Sequence, residues 1–434
     1  METISISVQF EFHVREKPIG IEEMFMVLQK TEREVGCLLA QELCKRLETT
    51  AERALKTAGY VRHSVRARTL QGVIGTVQLR LLRMKAPDGT LHQALDESVT
   101  IPTYVRHTKD SFESAIGLLP HVSYKRSAVE GQRIVGHGPG KSTVHRQVEA
   151  WAPDLQNFPS NQAKGFRYLV ADGTGAFFQQ WVQFQKPPVV SYAGEMRLVL
   201  ASQGKGQPFI VVGRWTNTSW ADIAREVYQR IEVQDVQLLI SDGEIGIEEA
   251  FLRSHMQHQR CTVHAWRDLK HFLYEDGAKK KAQEPIRQAL SQLSALQFNQ
   301  KTMEALQPID QEYVERSVQE SERQLQELVR WLYNKGYHKT ARYLDNLKQP
   351  LLTFLHSWLQ TGDTDPATSN AAENRMSLIK NRIVRIGRRW SEPGLKRWID
   401  LAIHKVFPGY NWQNLWEKLL PLTGNLTYKI TVMA

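Results

Sequence analysis

What the chain lacks narrows it first. There are 3 cysteines in 434 residues, Cys37, Cys44 and Cys261. That number is too small and odd for a disulfide framework, and it fits a reducing compartment. Cys37 and Cys44 fall on one predicted helix and read as small core residues. No apolar run approaches the roughly 20 residues of a membrane span, so no membrane partner is expected. Met1–Phe12 alternates through Ile4, Ile6, Val8, Phe10 and Phe12 and has no compact apolar block of the signal-peptide kind. The expected location is therefore the cytoplasm, in association with the nucleoid. Acid is missing locally. Val61–Lys85 holds Arg62, Arg66, Arg68, Arg80, Arg83 and Lys85 with no Asp or Glu, and Asn374–Ser391 holds Arg375, Lys380, Arg382, Arg385, Arg388 and Arg389, again with none.

What is present is an ordinary globular composition, 41% apolar and 24% charged, with length enough for two or three domains. The formal net charge of +10 attracts polyanions at long range, and nucleic acid is the commonest such partner. Ile21–Tyr60 has apolar residues at helical spacing (Met24, Val27, Leu28, Val35, Leu38, Leu39, Leu43). Val77, Leu79 and Leu81 then alternate with Gln78 and Arg80, predicting a small β element closed by Pro87-Asp88-Gly89.

Ser123–Ile134 and the stretch from Lys141 read as two short helices around a glycine-rich turn, a helix-turn-helix pattern. Lys141, Ser142, His145 and Arg146 are the side chains expected to face DNA. The turn also resembles a phosphate-binding loop. Only three residues separate Gly136 from Gly140-Lys141-Ser142, however, where that loop needs four to wrap a phosphate in backbone N–H groups.

Beyond the polar stretch Pro153–Gly165, Tyr168-Leu169-Val170-Ala171-Asp172 reads as a strand ending in an acid. Met196–Ala201 and Phe209–Val212 read as a hairpin, and Ser219 opens a helix. Val236–Ile240 reads as a buried strand leading into Ser241-Asp242-Gly243, with Arg260-Cys261-Thr262-Val263-His264 as a further strand. Ala265–Gln360 is expected to be a helical body. Asn370 reads as an N-cap, so Glu373 could be completing a capping box. Against that stands the basic face that follows, with Arg375, Lys380, Arg382, Arg385 and Arg389 expected toward phosphodiester backbone.

Three acids thus end strands or open a helix: Asp172, Asp242 and Glu373. Hard oxygen ligands suit Mg²⁺, and two ions can polarise both the attacking and the leaving oxygen of a phosphoryl displacement. At Ala171-Asp172-Gly173, Ser241-Asp242-Gly243, Cys261-Thr262-Val263-His264 and Asn370-Ala371-Ala372-Glu373-Asn374 the chain resembles DDE transposases of the Mutator-like bacterial insertion-sequence type. The resemblance implies an α/β fold: a ribonuclease H-like mixed sheet with an all-helical insertion, preceded by a mainly helical DNA-binding N-terminal region. It also implies that Asp172, Asp242 and Glu373 are catalytic ligands of two Mg²⁺ ions, with Mn²⁺ as a substitute. The partners implied are double-stranded DNA, as element ends and target, and further copies of the chain in a homodimer or higher oligomer.

The expected domains are a helical region 1–60, a basic β element with helix-turn-helix 61–152, the first part of the core 166–264, a helical insertion 265–362, and the last part of the core with the tail 368–434. Cys261 and His264 are expected near the active site, with His264 otherwise a satisfied core histidine. His255, His258, Cys261 and His264 recur every three residues, which invites zinc. On a strand such residues alternate between faces, so zinc near His255–His264 stays an open alternative. Two other functions remain open: a nucleotide-dependent DNA-binding regulator using Gly136–Ser142, and a catalytically inactive transposase-derived DNA-binding protein.

Overall fold

A computed structural model describes residues 4–9, 20–156, 158–183, 189–385, 390–407 and 409–420. The chain forms two compact units, Met1–Leu155 with Asn411–Ala434, and Gln156–Tyr410. The C-terminal stretch expected with the catalytic core therefore groups, through its described residues, with the N-terminal unit. Trp416 of the helix Trp412–Leu419 meets Trp151 edge-on, ring centroids 5.5 Å apart, which gives that grouping its physical basis.

In the first unit one long helix, Ile21–Thr57, is followed by the antiparallel strands β1 (Val61–Gly72) and β2 (Gly75–Lys85), with a short β3 (Leu91–Gln93) beside β2. The alternation at Val77, Leu79 and Leu81 puts those side chains on one face. They pack there against Cys37, Ala40, Cys44 and Leu47 of the long helix. Two helices follow, Tyr124–Val135 and Lys141–Leu155. Ser123 caps the first by accepting from the Arg126 N–H at 3.2 Å, and Gly136 ends it at φ 87°, a left-handed turn that glycine adopts without a Cβ clash.

The second unit is built on a five-stranded mixed sheet in the order β6-β5-β4-β7-β8. β4 (Tyr168–Trp181), β5 (Val189–Ser202) and β6 (Ile210–Thr216) run antiparallel, while β7 (Leu238–Ser241) and β8 (Gln257–Arg260) run parallel to β4. Each face buries its own core. One packs Val170, Ala176, Phe178 and Leu198 on the helices Asn370–Lys380 and Glu392–Val406. The other packs Leu169, Ala171 and Val199 with Ile223 and Val227 of helix Trp220–Arg230 and Ile247 and Phe251 of helix Ile245–Phe251. From Thr262 to Thr361 the described residues are helical or irregular and hold a core of their own around Leu269, Leu325, Leu344 and Leu355.

Two local expectations are corrected. β4 does not end at Asp172 but continues to Trp181, because Gly173, Thr174 and Gly175 pair with Arg197, Met196 and Glu195. β8 stops at Arg260, and Cys261 begins the helix Thr262–Glu275. The cause is the partner strand: β7 ends at Ser241, opposite Arg260, so no ladder remains for residues beyond it.

Candidate active site

Pairing of β4 with β7 ends at Ala171–Ser241, so Asp172 and Asp242 each stand one residue beyond the last shared rung. Asp172 lies on the same strand face as Val170 and Ala176, the face covered by the helix that carries Glu373. It is 2% exposed, and its Oδ2 has no hydrogen-bond partner among the described residues. Burial, then the charge of Asp242 and, more weakly, that of Glu373, push the Asp172 carboxyl up to about 6; Lys380 and His264 oppose them. Five side chains far apart in sequence thus share one electrostatic neighbourhood.

The turn carrying Asp242 is braced from β8. Ser241 Oγ lies 3.0 Å from His258 Nε2 and accepts from the Gly243 N–H at 3.2 Å, and Asp242 Oδ1 accepts from the Glu244 N–H at 3.0 Å. A Cβ on Gly243, at φ 91°, would fall 0.4 Å from Nη1 of Arg260, whose Nη2 is 2.6 Å from Asp268. Only glycine fits beneath that guanidinium. Reading the sequence missed Arg260, although a glycine directly after a candidate acid is the kind of signal that marks a close approach.

Glu373 does not cap its helix. The N-cap is Ser369 with no side-chain cap bond, and Glu373 instead points at the helix Thr262–Glu275. Its Oε1 forms an ion-pair contact with His264 Nδ1 at 3.2 Å but has no hydrogen-bond partner among the described residues; its Oε2 is 3.7 Å from Arg267. Because Cys261 and His264 occupy one helical turn rather than a strand, they lie on the same side. Cys261 Sγ accepts from the Ser369 N–H at 3.3 Å. Cys261 is fully buried, which raises its thiol pKa, yet bonds from His264 and Ser369 win and hold it below the ordinary value. Burial lowers the His264 pKa, but the Cys261 bond and the charges of Cys261, Glu373 and Asp242 carry it above the ordinary value. Cys261, His264 and Glu373 each offer a ligand atom, all within 4.8 Å of one another.

The expectation that Arg375 and Arg382 face DNA is corrected. Arg375 and Arg382 are each 5% exposed. Arg375 donates to the Ala371 carbonyl at 2.6 Å and the Phe209 carbonyl at 2.8 Å, and Arg382 sits 5.8 Å from the Trp398 ring centroid. Neither guanidinium is available to DNA in this conformation. Lys380 is half-buried toward Asp172. The Arg385 side chain and Arg388 and Arg389 lie outside the described residues. In the first unit Lys141, Ser142 and Arg146 are exposed, and His145 is half-buried beside Glu149 at 3.3 Å. Arg62 is tied to Glu52 and Arg68 to the Pro102 and Val105 carbonyls, while Arg66 and Arg80 stay exposed. The Gly136–Gly140 turn joins two helices, not a strand and a helix, so the phosphate-loop reading loses its structural context.

Residues 200–392 match the sequence model of the Transposase IS66 family. The match takes in Asp242, His264 and Glu373 and begins after Asp172. It supports a transposase function, and with it an enzyme that cuts and joins DNA. The type matched is IS66, and the Mutator-like type expected from the sequence is not confirmed. No curated protein matches the chain. A solved structure, the Drosophila P element transposase strand transfer complex, aligns at a TM-score of 0.27 and 13% identity over 74% of this chain and 81% of its own, a likeness too low to bear on fold or function. Among the described residues no helix is long and apolar enough to cross a membrane.

Proposed function

We propose that this protein is a DDE-type transposase in which Asp172, Asp242 and Glu373 hold the catalytic metal, Mg²⁺ or Mn²⁺, for cleavage and strand transfer at the ends of a mobile element. The observation that carries the reading is the pair of buried carboxylate oxygens without hydrogen-bond partners among the described residues, Asp172 Oδ2 and Glu373 Oε1, on elements that face each other. Buried acceptors are ordinarily satisfied, and carboxylates such as those of Asp172, Asp242 and Glu373 are the hard oxygen donors such cations take. Bound there, the metal would polarise the attacking and leaving oxygens of an in-line displacement.

The chain's own residues do the rest. Gly243, under Arg260, holds the Asp242 turn at one geometry. Lys380 offsets the charge crowded around Asp172, and the half-exposed Arg267 stands beside Glu373 where a phosphodiester backbone would run. A strand order of three antiparallel strands followed by two parallel ones supports the ribonuclease H-like reading of the core. Exposed Lys141, Ser142 and Arg146 on one helix support duplex binding by the first unit. Two element ends held together call for at least two copies, acting on DNA of the nucleoid.

Duplex DNA from the flanks of the gene, incubated with the full chain and Mg²⁺, should be nicked or cut at element ends, and Asp242→Asn should remove the cutting. Sequence-specific binding with no cleavage at any divalent ion would instead favour the inactive, DNA-binding descendant.

A further inference from the structure

We propose that Cys261, His264 and Glu373 bind a thiophilic divalent cation, Zn²⁺, in a site whose donor chemistry differs from the all-oxygen set, and that its occupation takes Glu373 away from Asp172 and Asp242. The second half rests on the function proposed above; the first does not. Zn²⁺ prefers mixed sulfur, nitrogen and oxygen donors, and bonds of about 2.0–2.3 Å in a tetrahedron set ligand atoms about 3.3–3.8 Å apart. Sγ of Cys261, a ring nitrogen of His264 and a carboxylate oxygen of Glu373 already lie within 4.8 Å of one another. Closing on an ion needs side-chain adjustment of about an ångström and no backbone rearrangement.

Three further features suit an ion. Glu373 Oε1 and His264 Nδ1 already lie 3.2 Å apart, an ion-pair contact that an ion between them would replace, with Ser369 Oγ 3.5 Å from the same nitrogen. The Ser369 N–H already donates to Cys261 Sγ at 3.3 Å, the outer-shell support that a thiolate ligand ordinarily has. Cys261 also stands at the N-cap position of the helix Thr262–Glu275, whose N-terminal end favours a negative sulfur. A thiolate and a carboxylate balance the charge of the ion, and water completes the tetrahedron. Binding releases the thiol proton, and the His264 proton when it is present. Arg267, 3.7 Å from Oε2 and 58% exposed, can swing away.

The test titrates the full chain with Co²⁺ as a spectroscopic substitute for Zn²⁺. The expected result is a near-ultraviolet thiolate-to-cobalt absorption that one equivalent of Zn²⁺ displaces. Cys261→Ser should abolish it, a Cys37→Ser/Cys44→Ser double variant should keep it, and Glu373→Gln should weaken Co²⁺ binding by at least about tenfold. Absence of the band in the natural chain, or its persistence in folded Cys261→Ser, overturns the site. Should Cys261→Ser not fold, His264→Gln decides: an unchanged cobalt spectrum overturns the site, and a shifted or weakened one supports it. Zn²⁺ should also inhibit strand cleavage in competition with Mg²⁺. Binding without inhibition removes the coupling to Glu373 and leaves the site. Normal cleavage by Glu373→Gln would sink the proposed function while leaving the cobalt result standing.

Discussion

Two helices whose basic residues the sequence aims at DNA, Lys141–Leu155 in the first unit and Asn370–Lys380 in the second, end up in opposite states. In the first, Val144, Val148, Trp151 and Leu155 form a buried stripe at steps of three and four, and Lys141, Ser142 and Arg146 stay exposed. In the second, the buried stripe is Ala372, Arg375, Met376 and Ile379, so an arginine is itself part of the packed face. Counting from Ala372 puts Arg375 one turn along the apolar row, and Arg382 stands one turn beyond Ile379. The two stretches differ less in charge than in where the apolar period falls. Long arginine stems pack readily once the guanidinium finds carbonyls or a ring to meet. Basic residues in a sequence therefore mark a DNA face only where they lie off the buried row.

Breaking Arg375 should give the largest effect on stability. Arg375→Ala removes two charged hydrogen bonds and strands the Phe209 carbonyl, so about 3 kcal/mol should be lost in denaturant titration. A variant that melts like the natural chain but binds DNA weakly would reverse the comparison and return Arg375 to the DNA face.

Asp172 is the acidic counterpart of a swallowed charge, and its effect should be somewhat smaller. Its folded pKa of about 6 lies above its ordinary 3.8, so the folded state holds the proton more tightly. Its stabilising contribution is fully present below pH 3.8 and is lost as pH rises through 6. In a metal chelator at pH 8, Asp172→Asn should be more stable than the natural chain by about 2–3 kcal/mol, and the difference should vanish near pH 4. Equal denaturation midpoints at both pH values would mean that the site is not strained by buried charge.

The smallest stability change belongs to the exposed helix. Arg146→Ala should shift stability by no more than about 0.5 kcal/mol, yet it should weaken duplex binding and lower the slope of log affinity against log salt by about 1. An unchanged slope would take Arg146 off the phosphate backbone.

The sequence showed most where period and punctuation agreed. The run read as a strand at Val236–Ile240 forms one at Leu238–Ser241, leading into Asp242-Gly243, and the Leu- and Gln-rich stretch after Ala265 is helical. It misled where composition and context conflicted. Gly173-Thr174-Gly175 reads as a turn, but the long partner β5 supplies a ladder that draws it into β4. Thr262 and Val263 favour a strand, but β7 is too short to pair with them, and they join a helix instead. That single change of element brings Cys261 and His264 onto one turn and so to Glu373. Arg260 over Gly243 and Ser369 on Cys261 are contacts between distant segments with no local pattern to announce them.

The most direct test of the three-acid site is strand cleavage by Glu373→Gln, which keeps the side chain's size and removes its charge. With Mg²⁺ and element-end DNA, cleavage is expected to fall by at least about a thousandfold, roughly 4 kcal/mol of transition-state stabilisation, while end binding stays within about twofold of the natural chain, well under 1 kcal/mol. Cleavage near the natural rate by a folded Glu373→Gln protein would contradict the assignment of Glu373 as the third acid.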